Sequence, residues 1–185
     1  MKEDLLLLVD EQDNPTGSMS KREVHARGLL HRAFSVFIFN AKGDLLLQQR
    51  AFDKYHSGGL WSNTCCSHPR AEEDLCASAG KRLFEEMHIS CTIQKLFSFI
   101  YRAQVGNDLI EYELDHVFAG ISDMAPVPDI TEAAGWRYIG MNELQEDIRH
   151  HPESYTEWLK ICLDTYGAEL MAFSQQAPAG FIHKK

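Results

Sequence analysis

Apolar and polar positions alternate along this chain in short blocks. Leu5 to Val9 is an apolar run bounded by Lys2-Glu3-Asp4 and Asp10. It is far shorter than the ~20 residues of a membrane span and lacks both a basic leader and a small-residue cleavage site, so it predicts a buried strand. Asn14-Pro15-Thr16-Gly17 reads as a turn. Phe34 to Phe39 is dense in aromatic and β-branched residues and predicts a largely buried strand, which Ala41-Lys42-Gly43-Asp44 turns into Leu45 to Gln49 as a hairpin. Residues 53–71 carry Gly58-Gly59 and Pro69 and read as a long loop around a short extended piece. A loop of that length in a compact domain tends to carry function.

The period changes after the loop. Leu75, Ala79, Leu83 and Met87 recur at helical spacing, predicting a helix over Glu72 to Met87 with Glu72, Glu73 and Asp74 in its first turn. Residues 93–101 and 109–119 read as two strands around Gly106-Asn107-Asp108. A proline-containing loop, Ala125 to Asp129, leads to a short strand near Trp136 to Ile139, and helices are expected over 141–149 and 153–166. Residues 171–185 end in Ala-Pro-Ala-Gly and Lys-Lys and read as a loosely ordered tail. The expectation is one α+β domain over residues 1–170 and a C-terminal tail over 171–185.

Composition sharpens this picture in three ways. With 185 residues and 44% apolar content, the chain suits a single domain with its own core. Its 18 basic and 27 acidic residues give a net charge of −9, which speaks against a nucleic-acid surface and, at first sight, against an anionic ligand. Five cysteines, two of them adjacent, make a poor disulfide framework and suit a reducing cytosol, so a soluble cytoplasmic protein is expected. No glycine-rich dinucleotide fingerprint follows a predicted strand, so neither flavin nor nicotinamide is expected.

Candidate chemistry begins in the second of the paired strands. Glu111, Glu113 and Asp115 share one face of it, with neighbouring carboxylates roughly 6–7 Å apart. That face is either solvated, or buried and neutralised by protons or a cation. His25 and His31 flank the start of the Phe34 strand, and His68 follows Cys66 by two residues. Imidazole with carboxylate suits Mn²⁺, Zn²⁺ or Fe²⁺ better than Mg²⁺. His56, His88, His116, His150, His151 and His183 carry no such signal and read as structural. Cys66 lacks the partners of a structural zinc site; beside a metal-ligating histidine it could be a nucleophile or proton carrier, or else an inert thiol, the reading kept for Cys76, Cys91 and Cys162. Arg82 and Glu86 lie four apart on the predicted helix. A solvated ion pair is the default explanation for them. The adjacent glutamates Glu85 and Glu86, late in this helix and after a loop with His and Cys, are similar to the Nudix box, which uses helix glutamates to hold divalent metal on a diphosphate.

Four segments carry a wider resemblance. Gly28-Leu29-Leu30-His31-Arg32-Ala33-Phe34-Ser35-Val36-Phe37, Trp61-Ser62-Asn63-Thr64-Cys65-Cys66-Ser67-His68-Pro69, Tyr101-Arg102-Ala103 and Glu111-Tyr112-Glu113 resemble type 1 isopentenyl-diphosphate isomerases, across about Asn14 to Trp158. The resemblance implies the Nudix fold, a mixed β-sheet core flanked by helices. Where hydrolases of that superfamily have Gly, Glu and Gly, this chain has Ser67, Arg82 and His88. Losing the glutamate at 82 speaks against phosphoanhydride hydrolysis.

Carried over residue by residue, the resemblance implies Mn²⁺ or Zn²⁺ held by His25, His31, His68, Glu111 and Glu113. It implies Mg²⁺ held by Glu86 and the carbonyl oxygen of Cys66, meeting the substrate diphosphate. Lys21, Arg50, Lys54 and Arg82 match diphosphate-binding positions, and Cys66, Glu113, Tyr101 and Trp158 match catalytic ones. The implied reaction interconverts isopentenyl and dimethylallyl diphosphate in isoprenoid biosynthesis: a proton is added at C4, a tertiary cation forms at C3, and a proton leaves C2. Two groups on opposite faces can divide that work, and the expectation has Glu113 with Tyr101 protonating C4 and Cys66 receiving the C2 proton. An indole face can partner the cation without capturing it, which is the role expected of Trp158, whereas Trp61 and Trp136 are expected to pack. The partner is then the small-molecule substrate, with no nucleic acid and no membrane, and the chain is expected to be a monomer or weak dimer. Two rivals stand beside this reading. A Nudix hydrolase of nucleoside diphosphate derivatives would need neither Cys66 nor Trp158, and a non-catalytic metal- or partner-binding module would be indifferent to Cys66→Ala.

Overall fold

The computed structural model describes residues 5–69, 73–106 and 108–176. Strand β1 (Leu5–Val9) pairs antiparallel with β2 (Pro15–Ser20). The connection is tighter than the sequence suggests: Pro15, Thr16 and Gly17 already belong to β2. The Asp10 carboxylate takes the backbone N–H groups of Gln12 and Asn14, at 2.9 and 2.8 Å, and so closes the turn ahead of them. Proline is tolerated at the first position of a strand, where its missing donor costs little. Helix α1 (Lys21–Arg27) follows and ends at Gly28, whose φ of 58° is a left-handed cap.

Strand β3 (His31–Phe39) is the spine of the nine-stranded sheet. It starts three residues before the apolar run, because His31 and Arg32 continue the extended chain with polar side chains. Along one edge it meets β1, then β6 (Cys65–Ser67), then β4 (Leu45–Arg50), all antiparallel. Along the other edge it runs parallel to β8 (Ile110–Ile121), with His31 opposite Glu113 and Ser35 opposite Val117. Strand β7 (Ile93–Gln104) pairs with the far side of β8 and β9 (Ala133–Ile139) with β4. The expected loop 53–71 thus holds two short strands, β5 (Trp61–Ser62) and β6, as far as it is described, through Pro69. The turn expected at Gly106-Asn107-Asp108 includes Asn107, which lies outside the described residues.

Side-chain alternation sends the two faces of β3 into different cores. Phe34, Val36 and Ile38 pack with Ala79, Leu83 and Met87 of helix α2 (Leu75–Met87), the apolar stripe that the sequence marks. That helix starts later than expected: Asp74 is its N-cap, accepting from the Ala77 N–H at 2.8 Å, and Glu73 precedes it, while Glu72 is outside the described residues. Phe37 and Phe39 face the other way, toward Leu144 of α3 (Met141–His150) and Leu159 and Leu163 of α4 (Glu157–Ser174). A 3₁₀ turn over Pro152–Ser154 occupies the expected start of the last helix; α4 then breaks at Tyr166 (φ −125°, ψ 17°), the expected end, and a second helical segment carries on to Ser174. Leu170 and Phe173 are buried on the second segment, the Phe173 ring 5.9 Å from Phe39, so core packing accounts for the helical turns beyond the kink. Residues 171–174 of the expected tail are therefore helix, and 177–185 lie outside the described residues.

Candidate active site

A cavity of about 430 Å³ opens beside the starts of β3 and β8. Of the thirteen residues singled out above, eleven line it: Lys21, Arg50, Lys54, Cys66, His68, Arg82, Glu86, Tyr101, Glu111, Glu113 and Trp158. The other two, His25 and His31, lie fully buried directly behind, against Glu111.

Each part of this cluster comes from a different element. His25 sits in the last turn of α1, His31 opens β3, His68 follows β6, and Glu111 and Glu113 lie on β8. One donor atom each from His25, His31, His68 and Glu111 lies within 4.8 Å of the other three. His25 Nε2 is 3.2 Å from Glu111 Oε2, His68 Nε2 is 2.9 Å from Glu113 Oε1, and His31 Nε2 lies 3.7 and 3.6 Å from Glu111 and Glu113. The face bearing the acids is thus buried, not solvated. A backbone carbonyl can only accept, so His31 Nδ1–H donates to Leu29 O at 2.9 Å, leaving the Nε2 lone pair turned toward the carboxylates. Among the described residues, His25 Nε2 and Glu111 Oε2 are buried at contact distance from each other but form no well-aligned hydrogen bond. Buried nitrogen and carboxylate donors at such short range fit a divalent cation.

The titrations agree. Burial pushes the Glu111 carboxyl up, but His25 and His56 outweigh it and hold it well below the usual range. Burial drives the His68 imidazole down to about 4, against the pull of Glu113, so it is a neutral donor at physiological pH. Glu113 is also held below its ordinary value: burial and the Glu111 charge raise it, and His31 and His68 bring it down further than that.

Glu113 also faces the open cavity. Tyr101 lies directly opposite it on β7, and its hydroxyl donates to Glu113 Oε2 at 2.6 Å. On the other side of β3, Cys66 is opposite Ser35. Desolvation pushes its thiol up to about 12; Arg50 opposes this, and Glu86 and Glu113 reinforce it. Deeper still, Asp115 is 1% exposed, accepts from Ser35 Oγ at 2.8 Å, and is held well above its ordinary value by burial and the Glu113 charge.

Cations gather at the mouth. Arg82 Nη2 is 2.7 Å from Glu86 Oε1 and 3.2 Å from Glu132 Oε1, and Lys54 Nζ is 2.5 Å from Glu132 Oε2. The Glu86 carboxyl is raised by burial in spite of Arg82, and Gln48 Nε2 donates to it at 3.0 Å. Lys21 lies over the Tyr55 ring at 5.5 Å. The guanidinium of Arg50 rests on the Trp158 indole at 5.1 Å, and that indole N–H donates to Ser62 Oγ at 2.9 Å and to Asn63 Oδ1 at 3.2 Å. The Nε atoms of Arg50 and Arg82 are buried and have no partner. Four cationic side chains, Lys21, Arg50, Lys54 and Arg82, lining one cavity suit an oxyanion.

Sequence reasoning missed two members. His56 is read as structural, yet its Nε2 lies 3.0 Å from Glu111 Oε1, and its ring meets the Trp158 ring edge-on at 6.1 Å. The turn that points it inward needs Ser57 at φ 54° and Gly59 at φ 78°, and a Cβ on Gly58 would sit 2.6 Å from Phe52 O. The paired glycines were the available signal of so tight a turn. Glu132, in the loop before β9, left none. Trp61 packs under Arg137, at 4.6 Å, as expected, whereas Trp136 is 41% exposed beside Tyr138.

Residues 29–159 match the NUDIX domain family. The chain is 52% identical to isopentenyl-diphosphate Delta-isomerase 2 of Aromatoleum aromaticum, over 88% of this chain and 86% of that one. It is 48% identical to the isopentenyl-diphosphate Delta-isomerase of Serratia proteamaculans, over 91% and 94%. Among solved structures, DR0079 of Deinococcus radiodurans aligns with a TM-score of 0.73 at 16% identity, covering 88% of this chain and 99% of that one. A MutT protein of Methanosarcina mazei aligns at 0.58 and 14% identity, over 79% and 93%. These two share the fold.

Proposed function

Because this chain belongs to the Nudix family and, within it, to the isopentenyl-diphosphate Delta-isomerases, it interconverts isopentenyl and dimethylallyl diphosphate, and we propose that Cys66 and Glu113 carry the two protons. The observation that carries this assignment is the sheet register. Cys66 and Glu113 stand on the two strands that flank β3, project from one face of the sheet and line one cavity. An alkene held between them presents C4 to one and C2 to the other.

Desolvation holds the Cys66 thiol up at about 12, and His31 and His68 hold the Glu113 carboxyl below its ordinary value. These directions favour the opposite assignment to the one expected from the resemblance, which has Glu113 with Tyr101 protonating C4 and Cys66 receiving the C2 proton. In the direction of dimethylallyl diphosphate, the thiol is the better-prepared donor to C4, and Glu113 the better-prepared acceptor from C2. Tyr101 then orients Glu113, its O–H holding the carboxylate in one rotamer. Trp158 supplies a desolvated π-face for the cation at C3, on a ring fixed by its own N–H bonds.

The diphosphate is assigned to the mouth, to the spare donors of Arg50, Lys54, Arg82 and Lys21. His25, His31, His68, Glu111 and Glu113 would hold a divalent transition ion, read as Mn²⁺ or Zn²⁺, and Glu86 with the Cys66 carbonyl would hold Mg²⁺. When bound, these ions supply positive charge that neutralises the acids and the diphosphate. The replacement of a box glutamate by Arg82, paired to Glu86, supports isomerisation over hydrolysis.

The test is direct. Purified protein given isopentenyl diphosphate and Mg²⁺, without flavin or nicotinamide, should yield the dimethylallyl isomer and no released phosphate. In heavy water, Glu113→Gln should lose exchange at C2. A Glu113→Gln enzyme that still exchanges C2 fully would return that step to Cys66.

A further inference from the structure

Glu132 is absent from every role assigned above, yet its carboxylate touches two of the four proposed diphosphate cations, Lys54 and Arg82. It belongs to no helix or strand and is fixed all the same. Its N–H donates to Asp129 O and its carbonyl accepts from the Ala51 N–H, both at 2.9 Å. The register shift between Gln49 and Arg50 in the β4–β9 pairing brings the Arg50–Lys54 segment against it. A short, anchored acid therefore tethers two long side chains, each of which would otherwise lose rotamer freedom when an anion arrives.

We propose that Glu132 is a positioning residue for the substrate diphosphate, clasping Lys54 and Arg82 across the mouth so that their remaining donors face the phosphate oxygens. This rests on the assignment of the diphosphate to that mouth. The clasp leaves those donors available. Oε2 engages Lys54 Nζ, which carries three hydrogens, and Oε1 engages Arg82 only at Nη2, while Arg82 Nη1 donates one of its two hydrogens to Glu85. Glu132 also complements Glu86. A Glu86 carboxylate turned toward Mg²⁺ holds Arg82 less firmly, and Glu85, whose side chain is 42% exposed, is a weak substitute. Glu132 then keeps the guanidinium in place.

The test compares wild type, Glu132→Gln and Glu132→Asp in two measurements: steady-state isomerisation, and calorimetric binding of inorganic diphosphate with Mg²⁺. For Glu132→Gln, KM and the diphosphate Kd should both rise about tenfold while kcat stays within about twofold, because the clasp acts on binding and not on proton transfer. Glu132→Asp keeps the charge on a shorter arm and should limit the rise to about threefold. A KM and Kd unchanged or lowered in Glu132→Gln, or a loss confined to kcat, overturns the clasp. If Glu132→Gln fails to fold, Glu132→Asp decides: a threefold rise supports the clasp and no rise overturns it. A wild type that binds no Mg²⁺–diphosphate removes the mouth assignment and the clasp together, whereas a binding wild type with an indifferent Glu132→Gln removes the clasp alone.

Discussion

Replacing Trp158 with Phe separates the chemical role of the indole from its structural one. The side chain is 5% exposed, so its π-face works in a desolvated setting. A cation on a desolvated indole gains about 2 kcal/mol, and a phenyl ring retains part of that, so the transition state should lose about 1.4 kcal/mol, or tenfold in kcat. KM should stay within about threefold, because the diphosphate is held at the mouth. Stability changes through two other effects. The lost N–H bond should cost about 1 kcal/mol and no more, since Ser62 Oγ still donates to Asn63 Oδ1 at 2.9 Å and no acceptor is stranded. The smaller ring leaves a void worth about 1 kcal/mol. Together these predict a fall in Tm of about 4–8 °C for a chain of this size. Trp61→Phe is the control: Trp61 stacks on Arg137, does not line the cavity, and should leave kcat within about twofold. If Trp158→Phe lowers Tm as expected but leaves kcat unchanged, or if its whole loss falls on KM, the indole is packing and not a cation partner.

Three further outcomes are expected. Cys66→Ser should cut kcat by about 10³-fold or more with KM nearly unchanged and an unaltered circular dichroism spectrum, because a hydroxyl is a far weaker proton carrier; activity within tenfold of wild type would remove Cys66 from the chemistry. Chelation should lower both activity and Tm, and Mn²⁺ or Zn²⁺ should restore both, because His25 and Glu111 keep buried atoms at contact distance without a well-aligned hydrogen bond; an unmoved Tm would argue against an ion there. Outside the site, burial drives His116 down to about 4, helped by Lys95 and Arg32 and opposed by Asp13. The folded state therefore refuses a proton that the unfolded chain accepts below about 6.5, so this contribution to stability is complete above that pH and is lost as pH falls toward 4. It amounts to about 3 kcal/mol at most, and His116→Leu should flatten that part of the stability–pH curve; an unchanged slope in that window would sink the reasoning.

Much of the fold was legible because periodicity reports burial. The stripe Leu75, Ala79, Leu83 and Met87 does contact the sheet, and the Phe34 run is its central strand. Boundaries failed where polar residues continue an element, as with His31 in β3; past the Tyr166 kink, buried Leu170 and Phe173 hold a further helical segment that composition did not signal. The candidate site was legible through distinctive strings around Cys66 and Glu113. His56 and Glu132 were not, since each sits in a loop whose course depends on pairings distant in sequence. No local pattern states that β3 and β8 run side by side, and the gathering of the buried histidines and glutamates follows from that pairing.

That parallel pairing has a kinetic consequence. His31 and Glu113 are 82 positions apart in sequence and are direct neighbours across β3 and β8. A parallel pair cannot close through a hairpin, so the loop entropy of the whole intervening chain is met before either side chain sees the other. The histidine–carboxylate cluster therefore comes together only in the late, native-like stages of folding. An ion captured there would bind the finished domain and slow its unfolding, with little influence on how fast the chain folds.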